Sequence, residues 1–164
     1  MTRTTTQPTP LAAHDRDASG WTTDDAAELY GFRRWGGGYF DVGPDGQVIV
    51  NPKGPGGPSV NLADIVAGLR ERDLYAPVLL RFNDVTDHRM ASLRSAFDKA
   101  IEDEDYQGSY EAVYPIKVNQ QRSVCEQIRD AAARLGFGLE AGSKPELLAV
   151  LALTADEPRI PIVC

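Results

Sequence analysis

The sequence has few of the features that mark several large classes of protein. Its two cysteines, Cys125 and Cys164, show no C-x-x-C spacing, so we expect two buried free thiols in a reducing compartment rather than a disulfide framework or a cysteine-rich metal site. No stretch approaches the roughly 18 apolar residues of a membrane span. The start of the chain lacks the apolar core of about 7–15 residues that a secretory signal needs. We therefore expect a cytoplasmic protein with a disordered tail over residues 1–21.

Positive charge is also scarce. The 17 Lys and Arg residues are outnumbered by 24 Asp and Glu residues, which gives a formal net charge of −7. Phosphate binding needs a basic face, so we expect no nucleic-acid partner, and nothing favours an anionic membrane surface. The composition is that of a globular protein, with 42% hydrophobic and 25% charged residues. The 164 residues suffice for one domain or for part of a larger one.

Residues 22–58 are predicted to form a leading segment with one helix and one hairpin. Thr22 and Asp25 resemble a capping box that starts a short helix. The apolar runs 39–42 and 48–50 flank a Gly-Pro-Asp-Gly stretch, which is the turn chemistry of a β-hairpin.

From residue 59 onward, helical and strand patterns alternate. The predicted strands are 77–82, 111–118, 137–141 and 160–164. Helices are predicted around residues 62–69, over a stretch with Leu93, Phe97 and Ile101 on one face that ends near Glu104, around residues 124–135, and over residues 144–153. Such alternation gives an α/β fold with a parallel sheet and helical crossovers. We predict that residues 59–164 form the first half of an eight-stranded TIM-type (β/α)8 barrel, truncated after strand 4. A complete, small doubly wound sheet is the alternative.

Lys117 is the strongest candidate for a catalytic residue in the sequence. Barrel enzymes place their active residues at the carboxyl ends of strands, and Lys117 is predicted near such an end, on the same face as Val113, Pro115 and Asn119. A desolvated amine there is a nucleophile toward aldehydes. The alternative is a lysine whose amine simply reaches solvent. Pro115 cannot donate to a strand ladder, so a local irregularity is expected beside Lys117.

Four stretches together resemble the biosynthetic arginine decarboxylases, which are pyridoxal-phosphate (PLP) enzymes that share the alanine-racemase barrel. The stretches are Trp35–Val42, Tyr114–Gln120, Gly138–Leu147 and Ile162–Cys164. The resemblance runs from about Tyr30 to the end of the chain, and the combination in this order is specific.

The resemblance implies a cofactor and a reaction. Lys117 is expected to form the Schiff base with PLP, and Glu140 and Ser143 are expected to lie beside the cofactor. The implied reaction is decarboxylation of L-arginine to agmatine, a step of polyamine biosynthesis. Members of the family form homo-oligomers and require magnesium, although no residue here indicates a metal site.

Family members are several times longer than this chain. The phosphate-binding loop and the substrate-reading residues are therefore expected beyond Cys164, and the chain alone is expected to be inactive and incompletely folded. Two alternatives stay open. One is a related PLP enzyme, such as a diaminopimelate or ornithine decarboxylase or a racemase. The other is a non-catalytic PLP-binding remnant.

Overall fold

The computed structural model describes residues 20–164. The disordered tail predicted for residues 1–21 lies outside the described part, apart from Gly20 and Trp21, which form no helix or strand. The described chain contains one antiparallel and one parallel sheet, each of three strands. A helix of 21 residues separates the two sheets along the chain.

The leading segment begins with two short helices, α1 (Thr23–Leu29) and α2 (Phe32–Trp35), where only one helix was predicted. The predicted capping box is confirmed, because Thr22 Oγ1 accepts from the backbone of Asp25 while the Asp25 carboxylate accepts from the backbone of Thr22. Two orphan amides at the start of α1 are satisfied in this way, which fixes where the helix begins.

The predicted hairpin is confirmed, with β1 (Phe40–Val42) antiparallel to β2 (Val48–Val50). A third strand, β3 (Val60–Asn61), pairs with β2 and was not predicted. It extends the leading sheet beyond the expected boundary at residue 58. Two residues are too few to show the alternation by which a strand is recognised in a sequence.

Two predicted helices follow, α3 (Leu62–Arg70) and α4 (Asn83–Asp103). Helix α4 holds the leading sheet through His88, whose Nδ1 lies 2.6 Å from Tyr39 Oη, with the two rings in edge-on contact. Phe82, just before α4, makes a second edge-on contact with Phe40. The leading segment is therefore docked on the amino-terminal part of α4.

The strand predicted over residues 77–82 is wrong, because the structure assigns no strand there. An extended segment becomes a strand only when its backbone bonds to a neighbour. The natural neighbour would be the strand that contains Tyr114, but a groove of about 370 Å³ lies between Tyr114 and residues 80–82. The run is apolar enough for a buried strand, yet Leu79 is 72% exposed.

The parallel sheet has its strands in chain order. They are β4 (Val113–Pro115), β5 (Gly138–Glu140) and β6 (Ile162–Val163), and helices α5 (Arg122–Leu135) and α6 (Lys144–Leu153) connect them. Tyr114 pairs with Leu139, and Leu139 pairs with Ile162. The predicted strand–helix alternation is confirmed for this part of the chain, and the α/β class with it.

Helices α5 and α6 pack with the sheet to form the main core. Its buried members are Ile116, Ile128, Leu139, Ala141, Val150 and Ile160. Leu139 and Val150 have no exposed surface. Burying a side chain of this size stabilises a fold by about 1.5–3 kcal/mol. This core therefore fixes β5, and with it the edge of the sheet where the polar residues gather.

Candidate active site

Lys117 lies in a turn and not on a strand. The predicted strand 111–118 is shortened to Val113–Pro115, and Ile116–Val118 form a single 3-10 turn. This corrects the expected shared face, because a 3-10 turn breaks the alternation that would align Lys117 and Asn119 with Val113. The irregularity expected at Pro115 is confirmed, since β4 ends at that residue.

Glu140 ends the neighbouring strand β5. Because β4 and β5 are parallel, their carboxyl ends meet at one edge of the sheet, and the register pairs Pro115 with Glu140. Lys117 Nζ lies 4.0 Å from Glu140 Oε1. Two of the three predicted site residues are therefore neighbours in space.

The two side chains differ in their exposure to solvent. The Lys117 side chain is 62% exposed and that of Glu140 is 33% exposed. A pair this open contributes little to stability, about 0–1 kcal/mol. The amine is accessible to an aldehyde, and a carboxylate close by can hold or take up a proton.

Ser143, the third predicted site residue, caps a helix and makes no contact with the Lys117–Glu140 pair among the hydrogen bonds of the described residues. Its hydroxyl accepts a 3.4 Å hydrogen bond from the backbone of Glu146 and caps α6. The carboxylate of Glu146 accepts in return from the backbone of Gly142 at 2.7 Å. The described part of the chain shows no hydrogen bond between Ser143 and Lys117.

Sequence reasoning missed the contacts that hold the lysine turn. The backbone carbonyl of Asn119 accepts from Tyr114 Oη and from Cys125 Sγ, each at 3.3 Å. Every residue has a backbone carbonyl, so the sequence does not show which carbonyl accepts a side-chain hydrogen bond. The only available signal was that Tyr114 lies close to Lys117 in the sequence.

Burial perturbs both of these donors. Desolvation raises the pKa of Tyr114, and the charge that Cys125 carries once it ionises raises it further, while the hydrogen bond to Asn119 opposes both. Desolvation, followed by the charge of Glu126, raises the pKa of the Cys125 thiol. Both groups therefore keep the protons that they donate.

Neither a metal centre nor a membrane helix accompanies this site in the described region. Among residues 20–164, no group of three or more His, Cys, Asp or Glu side chains could hold a metal ion. No helix in the same stretch has both the length and the apolar character needed to cross a bilayer.

The groove beside Tyr114 is lined by neither Lys117 nor Glu140.

No family model matches the chain, but curated relatives do. The biosynthetic arginine decarboxylase of Pseudomonas aeruginosa is 49% identical over 137 residues, which are 84% of this chain and 21% of the relative. The enzyme of the same name from Rhodopirellula baltica is 47% identical over 146 residues, or 89% of this chain and 22% of the relative. That of a Synechococcus strain is 45% identical over 154 residues, or 94% and 24%.

A solved structure agrees with these relatives. The crystal structure of the biosynthetic arginine decarboxylase of Campylobacter jejuni superposes with a TM-score of 0.70 at 34% identity, and the match covers 81% of this chain and 22% of that one. The chain spans less than a quarter of the length of the curated relatives described above. The predicted resemblance is thus confirmed: over most of its length, this chain is similar to one segment of the biosynthetic arginine decarboxylases.

Proposed function

We propose that this chain supplies the lysine that binds PLP in an enzyme that decarboxylates L-arginine to agmatine and CO2. The observation that carries the proposal is the placement of an accessible amine, Lys117, beside the Glu140 carboxylate at one edge of a parallel sheet. The similarity to arginine decarboxylases supplies the substrate and the polyamine-forming role.

The proposed fold is the first half of a PLP-binding (β/α)8 barrel, with residues 22–58 as a leading segment and residues 59–164 as the partial barrel. Two features of the described residues support it. The strands of the parallel sheet follow one another in chain order through helical crossovers, and the polar residues gather at their carboxyl ends. This is the end of a barrel at which active sites form.

The residues present fit the aldehyde end of PLP. A primary amine is the group that condenses with an aldehyde, and more than half of the Lys117 side chain is open to solvent. When bound, PLP supplies an electron sink for the charge that is left after loss of CO2.

We assign separate roles toward the cofactor to Lys117 and Glu140. Lys117 Nζ is the group that would hold the cofactor covalently. Glu140 Oε1 lies 4.0 Å from that nitrogen, so the carboxylate could hold or take up a proton beside the amine. Ser143, at the end of the same loop, is proposed as a more distant cofactor neighbour in addition to its capping role.

Other properties implied by the resemblance stay predictions. They are assembly into a homo-oligomer, a cytoplasmic location and the use of magnesium. The described residues offer no ligand cluster that fits magnesium, and no step is derived through that ion.

The test uses the intact gene product, meaning the protein as its gene encodes it, whether or not it continues past Cys164. The protein is incubated with PLP, reduced with borohydride and mapped by peptide mass spectrometry. We expect the PLP mass on Lys117, no label in Lys117→Ala and full label in Lys99→Ala. Lys99 is a suitable control because its side chain is 72% exposed and lies on α4.

A label on another lysine would overturn the assignment of Lys117. Substrate choice is tested by incubating the PLP-loaded protein with arginine, ornithine and diaminopimelate and measuring the amines and CO2 released. Agmatine as the main product supports the proposal. Preference for another amino acid would identify a related decarboxylase, and labelling of Lys117 without product would identify a PLP-binding remnant.

Glu140→Gln provides a second arm of the test. The exposed pair adds little to stability, so the variant should unfold within about 1 kcal/mol of the unmodified protein. Because hydrogen bonds to charged groups contribute about 1.5–3 kcal/mol, its Kd for PLP should rise about 10- to 150-fold. An unchanged Kd would remove Glu140 from the proposed site.

A further inference from the structure

The turn that carries Lys117 is tied at its end to two other elements. The backbone carbonyl of Asn119, which closes the turn, accepts from Tyr114 Oη on β4 and from Cys125 Sγ on α5. The side chain of Asn119 also accepts from the backbone of Gln121 at 3.0 Å. The residue after the turn is therefore fixed both to the strand before it and to the helix after it.

The direction of the Lys117 side chain depends on this turn. A single 3-10 turn has poor hydrogen-bond geometry and is weak by itself. The ladder between Pro115 and Glu140 fixes its start, and burial of Ile116, which is 4% exposed, fixes its first residue. Lys117 itself is mostly exposed, and its ion-pair contact is the 4.0 Å approach to Glu140. The hydrogen bonds to Asn119 are what hold the other end of the turn.

We infer that Tyr114 and Cys125 are positioning residues for Lys117, acting together through the carbonyl of Asn119 to keep the lysine amine directed toward Glu140. The inference rests on the proposed function of Lys117. A carbonyl needs only a donor at each position. Cys125→Ser should therefore keep a donor to the Asn119 carbonyl. Cys125→Ala and Tyr114→Phe each remove a donor and should weaken the positioning of Lys117.

The first measurement needs no cofactor. Amide hydrogen exchange of the intact gene product is compared between the unmodified protein and the variants Tyr114→Phe, Cys125→Ala and Tyr114→Phe/Cys125→Ala. Two neutral hydrogen bonds together are expected to slow local opening about tenfold. We therefore expect exchange at residues 117–120 of the double variant to be about tenfold faster, with unchanged exchange in β5. Unchanged exchange at 117–120 would overturn the inference.

The second measurement reports on the lysine itself. The rate at which borohydride-trapped PLP accumulates on Lys117 and the circular dichroism of the bound PLP are followed in the same variants. The double variant should label about tenfold more slowly and lose most of the dichroism, since both report how firmly the amine is oriented. Cys125→Ser should match the unmodified protein in both.

One control variant separates positioning from general stability. Tyr110→Phe removes a hydroxyl from a half-buried ring that stacks on Phe97, and it should change neither rate nor dichroism. If the unmodified protein fails to label Lys117, the proposed function fails. If it labels normally and the double variant labels equally fast with equal dichroism, the positioning inference fails while the proposed function stands.

Discussion

Lys117 and Glu140 face each other because the register of two parallel strands brings them together. Pro115 lies opposite Glu140, and the 3-10 turn after Pro115 carries the lysine to within 4.0 Å of the carboxylate. A parallel register slipped by one residue would turn the Glu140 side chain to the other face of the sheet. The candidate site therefore depends on whatever fixes β5 in place.

Gly138 is one determinant of that register. A Cβ atom at Gly138 would lie 2.7 Å from the carbonyl oxygen of Pro161 and 2.9 Å from Val113 Cγ1. Gly138→Ala should therefore lower the free energy of unfolding by about 1–3 kcal/mol, as overpacking does. Gly68→Ala, in helix α3 where a Cβ meets nothing within 4 Å, should raise it by up to about 1 kcal/mol. Urea unfolding of the intact gene product measures both changes, and equal effects would contradict the close approach at β5.

The docking of the leading segment can be tested at Tyr39, which is 8% exposed and whose hydroxyl lies 2.6 Å from His88 Nδ1. Tyr39→Phe leaves a ring nitrogen of His88 without this partner, so it should cost about 1–2 kcal/mol of unfolding free energy. Tyr30→Phe provides the control, because Tyr30 is 67% exposed, and it should change stability by less than about 0.5 kcal/mol. If the two variants are equally stable, Tyr39 does not fasten the segment to α4.

Stability should depend on alkaline pH through Cys125. Burial raises the pKa of this thiol above its ordinary value of 9.0, so the folded state keeps a proton that the unfolded chain releases. The protonated thiol therefore contributes fully to the free energy of unfolding below pH 9.0. That contribution is lost as the pH rises through the raised pKa of the folded state. Tyr114, whose pKa is also raised, acts in the same direction at higher pH.

Urea unfolding at a series of pH values from neutral into the alkaline range tests this. Cys125→Ser lacks the titrating thiol, so its unfolding free energy should fall less steeply above pH 9.0 than that of the unmodified protein. Cys164→Ser is the matched control, because the Cys164 thiol is exposed and not buried as the sequence predicted. Parallel curves for Cys125→Ser and the unmodified protein would show that the thiol does not contribute to this pH dependence.

Features encoded by neighbouring residues were predictable from the sequence. The capping box at Thr22 and Asp25 depends on residues three positions apart, and the hairpin depends on its turn. Pro115 correctly indicated an irregularity, because a missing backbone donor is a property of that one residue. Helices α3, α4 and α5 followed from the spacing of their apolar residues.

Features that need distant partners were not predictable. Residues 77–82 have the composition of a strand, but a strand also requires a neighbouring backbone, and no local pattern says whether it is present. The bond between Tyr39 and His88 joins residues 49 positions apart. The candidate site was predictable only in part. The resemblance indicated Lys117 and Glu140, whereas the 3-10 turn and the hydrogen bonds to the Asn119 carbonyl became visible only in the structure.

The order of the parallel sheet has a consequence for synthesis. Because β4, β5 and β6 lie side by side in the order in which they are encoded, each strand leaves the ribosome next to the partner made just before it. No strand must wait for a distant one, and the intervening helix can form while the next strand is still being translated. Assembly of this sheet can thus proceed vectorially, from the amino-terminal side, with each new strand adding to an edge that already exists.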